Sequence, residues 1–151
     1  MGKEDEKIRI DIMDQENEYK AWLAYSKMDY DCAVYLNDAP MHPRPLNIIC
    51  YHCQQAAEKA IKAVIVANGA PGGLPRLHDL AFLLNQLKNI ADIDDKYYEY
   101  ADTLTPYGTS IRYPSELFLE DRHAVTALNY ATEILNWAKA LCAKQSDQQE
   151  A

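Results

Sequence analysis

The chain has 151 residues, a formal net charge of −8 at pH 7 and 48% hydrophobic residues. This length fits one domain of ordinary globular composition, and the negative charge argues against indiscriminate nucleic-acid binding, which depends on lysine and arginine contacts to phosphates. No apolar run reaches the roughly 18 residues of a membrane-spanning helix, and the charged N-terminus lacks the apolar segment of a signal peptide. We therefore expect a cytoplasmic protein without membrane association.

The N-terminal part of the sequence predicts one long helix after a charged segment. Residues 1–17 are rich in charge and are predicted to be flexible, ahead of a helical domain at residues 18–143. The first predicted helix runs from about Glu18 to Asn37, because apolar residues recur in it at helical spacing. These positions are Ala21, Tyr25, Met28, Cys32 and Tyr35, widened by Trp22 and Leu36. A stiff, proline-rich connector ends the helix.

Four further helices are predicted after this connector. Their approximate spans are Leu46 to Ala67, His78 to Lys88, Ile93 to Leu104 and Glu116 to Ala143. The last helix carries an apolar stripe of Ala124, Leu128, Ala131, Leu135, Ala138 and Cys142. Residues 144–151 are predicted to be a disordered tail, and no alternating strand pattern occurs. The predicted fold is all-α, an antiparallel five-helix up-and-down bundle in one domain.

The second predicted helix is polar along one narrow sector. At about 100° per residue, Gln55, Glu58, Lys59 and Lys62 fall within this sector. The rest of the helix is apolar over an arc wide enough to need several packing partners. Two interpretations of the sector fit the sequence. The pattern alone favours a solvated face with a weak Glu58–Lys62 pair at i,i+4, and the alternative is that the residues line a cleft.

The cysteine pattern does not predict a metal site. Cys50, His52 and Cys53 have the spacing of half a zinc site, but no second Cys/His pair with matching spacing follows, and a structural zinc needs four ligands. A disulfide framework is not expected in a cytoplasmic chain. No glycine-rich phosphate loop or nucleophile elbow is present, so we predict neither a metal nor a cofactor.

Three separated motifs together resemble the HEPN domain. They are Gln54-Gln55-Ala56-Ala57-Glu58-Lys59-Ala60-Ile61-Lys62-Ala63, then His78-Asp79-Leu80, then Leu104, Tyr107 and Arg112-Tyr113-Pro114. Trp22, Asp29 and Ala33 in the first helix fit the same family. The resemblance covers about Tyr19 to Leu141. It implies an all-α bundle, commonly homodimeric, in a family associated with nucleotides and RNA.

Members of this family act in two ways that bear on the sequence. Many prokaryotic members work with a minimal nucleotidyltransferase encoded beside them as a toxin–antitoxin pair. Others are metal-independent ribonucleases, whose motif is an arginine followed after a short, fixed interval by a histidine. The chain departs from that motif, because Tyr113 and Pro114 follow Arg112 and the next histidine, His123, is too distant. Arg76 and His78 are too close together to match it.

The predicted function is therefore a nucleotide- or RNA-associated helical module that acts as a homodimer with a minimal nucleotidyltransferase partner. The apolar arc of the second helix is too wide for one packing neighbour, which is a further reason to expect a homodimer, and the two-fold interface should have few charges at its centre. The predicted binding groove contains Gln55, Glu58, Lys59, Lys62, His78, Tyr107, Arg112 and Tyr113. One alternative is a metal-independent ribonuclease with His78 and Arg112 as candidate catalytic residues, since histidine transfers protons and arginine binds phosphoryl oxygens. Another is a purely structural helical adaptor.

Overall fold

The described residues of the computed structural model form five α-helices. The structure describes residues 3–70, 74–109 and 118–150, with side chains at 17–70, 74–109 and 118–145. The helices are α1 (Lys3–Asp38), α2 (Leu46–Ala67), α3 (Leu80–Asn85), α4 (Asp95–Leu104) and α5 (Asp121–Glu150). A 3₁₀ turn, Thr105–Gly108, follows α4. The structure is about 75% helical and its described part contains no strand, which confirms the all-α prediction.

Helix α2 is the central element of the bundle. It packs mainly against α1 and α5, and it is buried on almost every side. The apolar arc predicted for it is fully buried and consists of Ile49, Cys53, Ala56, Ala60, Ile61, Val64, Ile65 and Ala67. Because α2 already has partners around its circumference, its apolar arc is not available as a dimer surface. Packing within one chain accounts for the wide arc, so the arc does not support the predicted homodimer, which stays a prediction.

Helix α1 packs through a different face from the one that its apolar residues mark. Among the described side chains of α1, those from residue 17 onward, the buried ones are Tyr19, Ser26 and Ala33, at seven-residue spacing. The small Ser26 and Ala33 side chains allow close approach to α2, and Ser26 Oγ donates a hydrogen bond of 2.6 Å to the Ala56 carbonyl. The larger residues Tyr25 and Met28 point outward, because hydrophobic periodicity predicts a helix without specifying which of two overlapping faces packs.

Several helix boundaries differ from the predicted ones. Helix α1 begins at Lys3 rather than near Glu18, and α5 runs from Asp121 to Glu150 rather than from about residue 116 to residue 143. Both extensions lack glycine and proline, so nothing in them interrupts a helix. Helix α3 begins where Asp79 Oδ1 accepts a hydrogen bond from the Phe82 N–H at 3.2 Å, as an N-cap should. None of the described helices is long and apolar enough to cross a membrane.

Buried thiols should make the fold sensitive to alkaline pH. Burial raises the pKa of Cys142 from 9.0 to about 11. A raised thiol pKa disfavours the thiolate in the folded state, so the stabilisation is complete below pH 9 and is lost as pH rises toward 11. We expect the free energy of unfolding of the wild type to fall between pH 7 and 10.5 by about 2 kcal/mol more than that of Cys142→Ala. Urea unfolding under reducing conditions measures this, and parallel pH profiles would contradict it.

Candidate functional site

The polar sector of α2 is covered by other parts of the chain rather than solvated. Glu58 is 4% exposed and Lys62 is 6% exposed. Lys62 Nζ lies 3.3 Å from Glu58 Oε2 and 5.7 Å from the ring centre of Trp22 on α1. The favoured interpretation of the sequence, a solvated i,i+4 pair, is therefore wrong. Helix α1 and the segment before α3 cover these side chains, which the local pattern of α2 does not reveal.

The buried carboxylate of Glu58 holds the ring of His78. Glu58 Oε1 lies 2.8 Å from His78 Nδ1, and the His78 side chain is 62% exposed. His78 precedes α3 and is followed by the N-cap residue Asp79. The carboxylate fixes the orientation of the imidazole and favours the proton on Nδ1. Nε2 then remains for a hydrogen bond or a proton transfer with a ligand.

Gln54 links the Glu58–His78 pair to the backbone through hydrogen bonds. Its side chain is fully buried, and Nε2 donates hydrogen bonds of 3.2 Å to both Glu58 Oε1 and the His78 carbonyl. Gln55 Nε2 donates in turn to Gln54 Oε1 at 2.7 Å. Sequence reasoning singled out Gln55 and missed Gln54. The available signal was its i,i+4 spacing from Glu58, which places both side chains on the same helix face.

Gly108, in the 3₁₀ turn, packs directly on the Gln54 amide. A Cβ at this position would lie 2.6 Å from Gln54 Cδ and 2.7 Å from Gln54 Oε1. The preceding Tyr107 is 8% exposed, and burial raises the pKa of its phenol, with smaller contributions from Cys50 and Cys53. Tyr107 is therefore a core residue. Arg112 and Tyr113, also predicted for this groove, lie outside the described residues.

Substituting Gly108 should disturb the network without touching a charge. We expect Gly108→Ala to lower the free energy of unfolding by about 1–3 kcal/mol, because the added methyl group must displace a buried amide that has three hydrogen bonds. Chemical denaturation measures the change. The double variant Gly108→Ala/Gln54→Ala should lose less stability than the sum of the two single losses, since the second substitution removes the clashing side chain. If the two losses add fully, the contact with Gln54 is not the cause of the destabilisation in Gly108→Ala.

A second cluster lies one turn away, between α2 and α1. Asp29 Oδ2 lies 2.5 Å from Lys59 Nζ, and Asp29 Oδ1 lies 2.9 Å from His52 Nδ1. The Asp29 side chain is 13% exposed and those of His52 and Lys59 are each 26% exposed. Lys59 therefore pairs with a carboxylate on α1. The network around Glu58 contains Gln55, Lys62 and His78, whereas Lys59 belongs to the cluster around Asp29.

The two clusters have the same charge composition. In each, one carboxylate is shared by a lysine and a histidine: Glu58 by Lys62 and His78, and Asp29 by Lys59 and His52. The two lysines and two carboxylates therefore balance in formal charge. The histidines add imidazole N–H groups, which can donate hydrogen bonds to the oxygen atoms of a ligand.

Metal ligation has no support at these positions. The described residues contain no group of three or more histidine, cysteine, aspartate or glutamate side chains arranged to hold a metal ion. Cys50 and Cys53 are fully buried in the core, and burial raises the pKa of both thiols. A thiol must lose its proton to bind zinc, so these two cysteines act as core residues.

A separate, open cavity of about 620 Å³ lies near the turn between α3 and α4. Asn85, Lys88, Asp92, Asp95 and Tyr98 contribute to its lining. It contains none of the residues predicted for the site. In ligand-binding experiments the cavity can be compared with the Glu58–His78 site, because it is polar and accessible but has no carboxylate–histidine pair.

A HEPN domain profile matches residues 19–141, most of the chain. The protein therefore belongs to the HEPN domain family. TT1696 from Thermus thermophilus has a similar structure, with 25% identity and a TM-score of 0.69 over 83% of this chain and 98% of that one. ST0689, described as an archaeal HEPN homologue, gives 24% identity and a TM-score of 0.64, covering 82% of this chain and 97% of that one. No curated protein matches significantly.

Proposed function

We propose that this HEPN-domain protein is a nucleotide- or RNA-associated module that acts as a homodimer with a minimal nucleotidyltransferase partner, in a toxin–antitoxin pair. The observation that carries the ligand part of the proposal is the exposed His78 imidazole held by the buried Glu58 carboxylate. A buried, hydrogen-bonded partner orients the ring before a ligand arrives, so less conformational entropy is lost on binding.

The surrounding side chains favour a phosphate-bearing ligand. Lys62 is buried and already paired with Glu58, so it does not make a direct contact with a ligand. The His78 side chain is 62% exposed, and those of Lys59 and His52 are each 26% exposed, so these basic groups meet solvent. Hydrogen bonds from such basic groups to phosphate oxygens are stronger than neutral ones. Arg112, four residues beyond Gly108 in sequence, is proposed to add a bidentate contact.

A metal-independent ribonuclease is the second candidate, and the same pair favours it. A carboxylate that orients a histidine through Nδ1 is the arrangement used for general acid–base chemistry. Cleavage of RNA also requires a cation for the charge that develops on the phosphoryl oxygens, and Arg112 is the residue proposed for that role. This candidate ranks below the binding module because the sequence around Arg112 does not match the ribonuclease motif of the family.

Ligand binding tests the proposal at His78. We expect His78→Ala to weaken binding of ATP or a short single-stranded RNA by about 1–3 kcal/mol, the usual size for a lost hydrogen bond to a charged group. Lys59→Ala and Arg112→Ala should each weaken the binding free energy by a similar amount. Isothermal titration calorimetry at fixed salt measures the affinities. His42→Ala is the matched control, because His42 is an exposed histidine in the connector between α1 and α2.

The outcomes of this titration separate the functional hypotheses. Weaker binding in the three site variants with unchanged binding in His42→Ala supports the proposal. Equal affinity in all variants, with each still folded, would assign these residues to structural roles. No binding of either ligand to the wild type would favour the structural adaptor.

The partner is tested independently of the ligand. A nucleotidyltransferase gene beside the coding sequence, and co-purification of its product with the tagged chain, are the expected results. An isolated gene, or failure of the two purified proteins to associate, would contradict the partner model and leave the ligand result standing.

A further inference from the structure

We infer that His52 is a second ligand-contact residue, and that His52 and His78 together bind two separated phosphate groups of one short nucleic-acid strand. His52 lies on α2, and its Nδ1 is 2.9 Å from Asp29 Oδ1 on α1. The inference rests on the proposed function, because it extends the ligand site around His78 along α2 and thereby selects a strand over a single nucleotide.

The ring of His52 is held by a carboxylate in the same way as the ring of His78. The His52 side chain is 26% exposed and that of Asp29 is 13% exposed. His78 is likewise more exposed than Glu58, and both rings meet their carboxylate through Nδ1. The half-buried Tyr51 ring adds an edge-on contact, with 5.5 Å between its centre and that of the His52 ring. Nδ1 of His52 is thus occupied, and Nε2 is left for a ligand.

The surroundings of His52 suit a phosphate oxygen. An imidazole that is protonated on both nitrogens donates a hydrogen bond through each of them, so the ring can donate Nδ1–H to Asp29 and Nε2–H to an anion. Lys59 Nζ contacts the other oxygen of Asp29. A phosphate beside His52 therefore meets a carboxylate whose charge Lys59 already balances, and a hydrogen bond from an imidazolium to a phosphate is among the strong ones.

The spacing of the two histidines indicates a ligand longer than one nucleotide. His52 and Glu58, which holds His78, are six residues apart on α2, which corresponds to about 9 Å along the helix axis. A stacked strand rises about 3.4 Å per nucleotide, so about three nucleotides cover this distance. Gln55 lies between the two positions in sequence, and its amide donates to Gln54 Oε1 in the network around His78. The two clusters therefore adjoin.

A series of oligonucleotide lengths tests the second contact. The probes are 5′-phosphorylated uridine ribonucleotides of one, two and three nucleotides, titrated calorimetrically at one fixed salt concentration. We expect the wild-type affinity to rise at least about tenfold from the mononucleotide to the trinucleotide, because a hydrogen bond to a charged group is gained. His52→Asn should reduce this rise to less than about threefold.

Two substitutions of His52 separate a ligand contact from a structural role. The amide in His52→Asn can still donate to Asp29 in place of Nδ1, but it leaves no donor at the position of Nε2. The longer side chain in His52→Gln brings its amide N–H near that position and should keep part of the rise. His42→Ala is the control and should keep all of it, since His42 is exposed in the connector before α2. Urea unfolding verifies that each variant is folded.

Three results would overturn the inference. They are a rise with length that His52→Asn leaves unchanged, equal losses of affinity for the mononucleotide and the trinucleotide in His52→Asn, and no binding of any probe to the wild type. In the first two cases, weaker binding in His78→Ala would leave the proposed ligand site standing without the second contact. The third result would contradict the ligand part of the proposed function as well.

Discussion

Glu58→Leu should lower the free energy of unfolding by about 3–5 kcal/mol. The substitution removes the partner of a lysine that is 6% exposed, and an uncompensated buried charge carries a penalty of this size. It also leaves His78 Nδ1 and one Gln54 hydrogen bond without their acceptor. Urea unfolding at one fixed protein concentration measures the change, because a dimer makes stability depend on concentration.

Two further variants identify the cause of this loss. Glu58→Leu/Lys62→Met should recover most of the stability, since apolar side chains of similar volume replace a buried ion pair without strong penalty. Asp31→Leu breaks the exposed i,i+4 pair with Lys27 and should cost less than about 1 kcal/mol. If Glu58→Leu costs no more than Asp31→Leu, the burial argument for the Glu58–Lys62 pair is wrong.

The purified protein alone should be a poor or inactive ribonuclease. The family motif places a histidine shortly after its arginine, and Pro114 stiffens the segment after Arg112 without supplying one. Losing a positioned general acid or base costs roughly 10²–10⁴ in rate. The assay uses labelled single-stranded RNA in the presence of a chelator. We expect at most slow cleavage, with little further change in His78→Ala or Arg112→Ala.

Fast cleavage that disappears in both variants would reverse this ranking. It would promote the second candidate, in which Glu58 orients His78 for proton transfer and Arg112 stabilises the phosphoryl oxygens. Cleavage that persists in both variants would instead indicate a contaminating nuclease. Glu58→Gln then distinguishes the orienting role of Glu58 from its charge, because the amide oxygen can still accept a hydrogen bond from His78 Nδ1–H.

Most of the fold could be predicted because helical periodicity and helix ends are local. The predicted span of α2, Leu46 to Ala67, is the observed one, and α3 begins at Leu80, within two residues of the predicted His78. The orientation of α1 was not predictable in this way, since Tyr25 and Met28 resemble core residues in any local pattern. Only the packing of Ser26 and Ala33 against α2 decides which face is inside.

The sequence predicted several of the residues of the candidate site, but not their burial or most of their contacts. The polar sector of α2 and the distant His78 were selected together, and their contact through Glu58 is observed. Burial of Glu58 and Lys62, the pairing of Lys59 with Asp29, and the hydrogen bonds of Gln54 all depend on how α1, the segment before α3 and the 3₁₀ turn cover α2. These are long-range contacts that spacing along one helix does not encode.

Nuclear magnetic resonance mapping of ATP binding tests the central claim most directly. In ¹H–¹⁵N spectra of the isotope-labelled protein, we expect saturable shifts to be largest at the His78 ring nitrogens and the side-chain amides of Gln54 and Gln55. The amides around Asn85 and Tyr98, beside the separate cavity, should move little. Shifts concentrated at that cavity, or no saturable shift at His78, would contradict the claim that the carboxylate-held histidine is the ligand site.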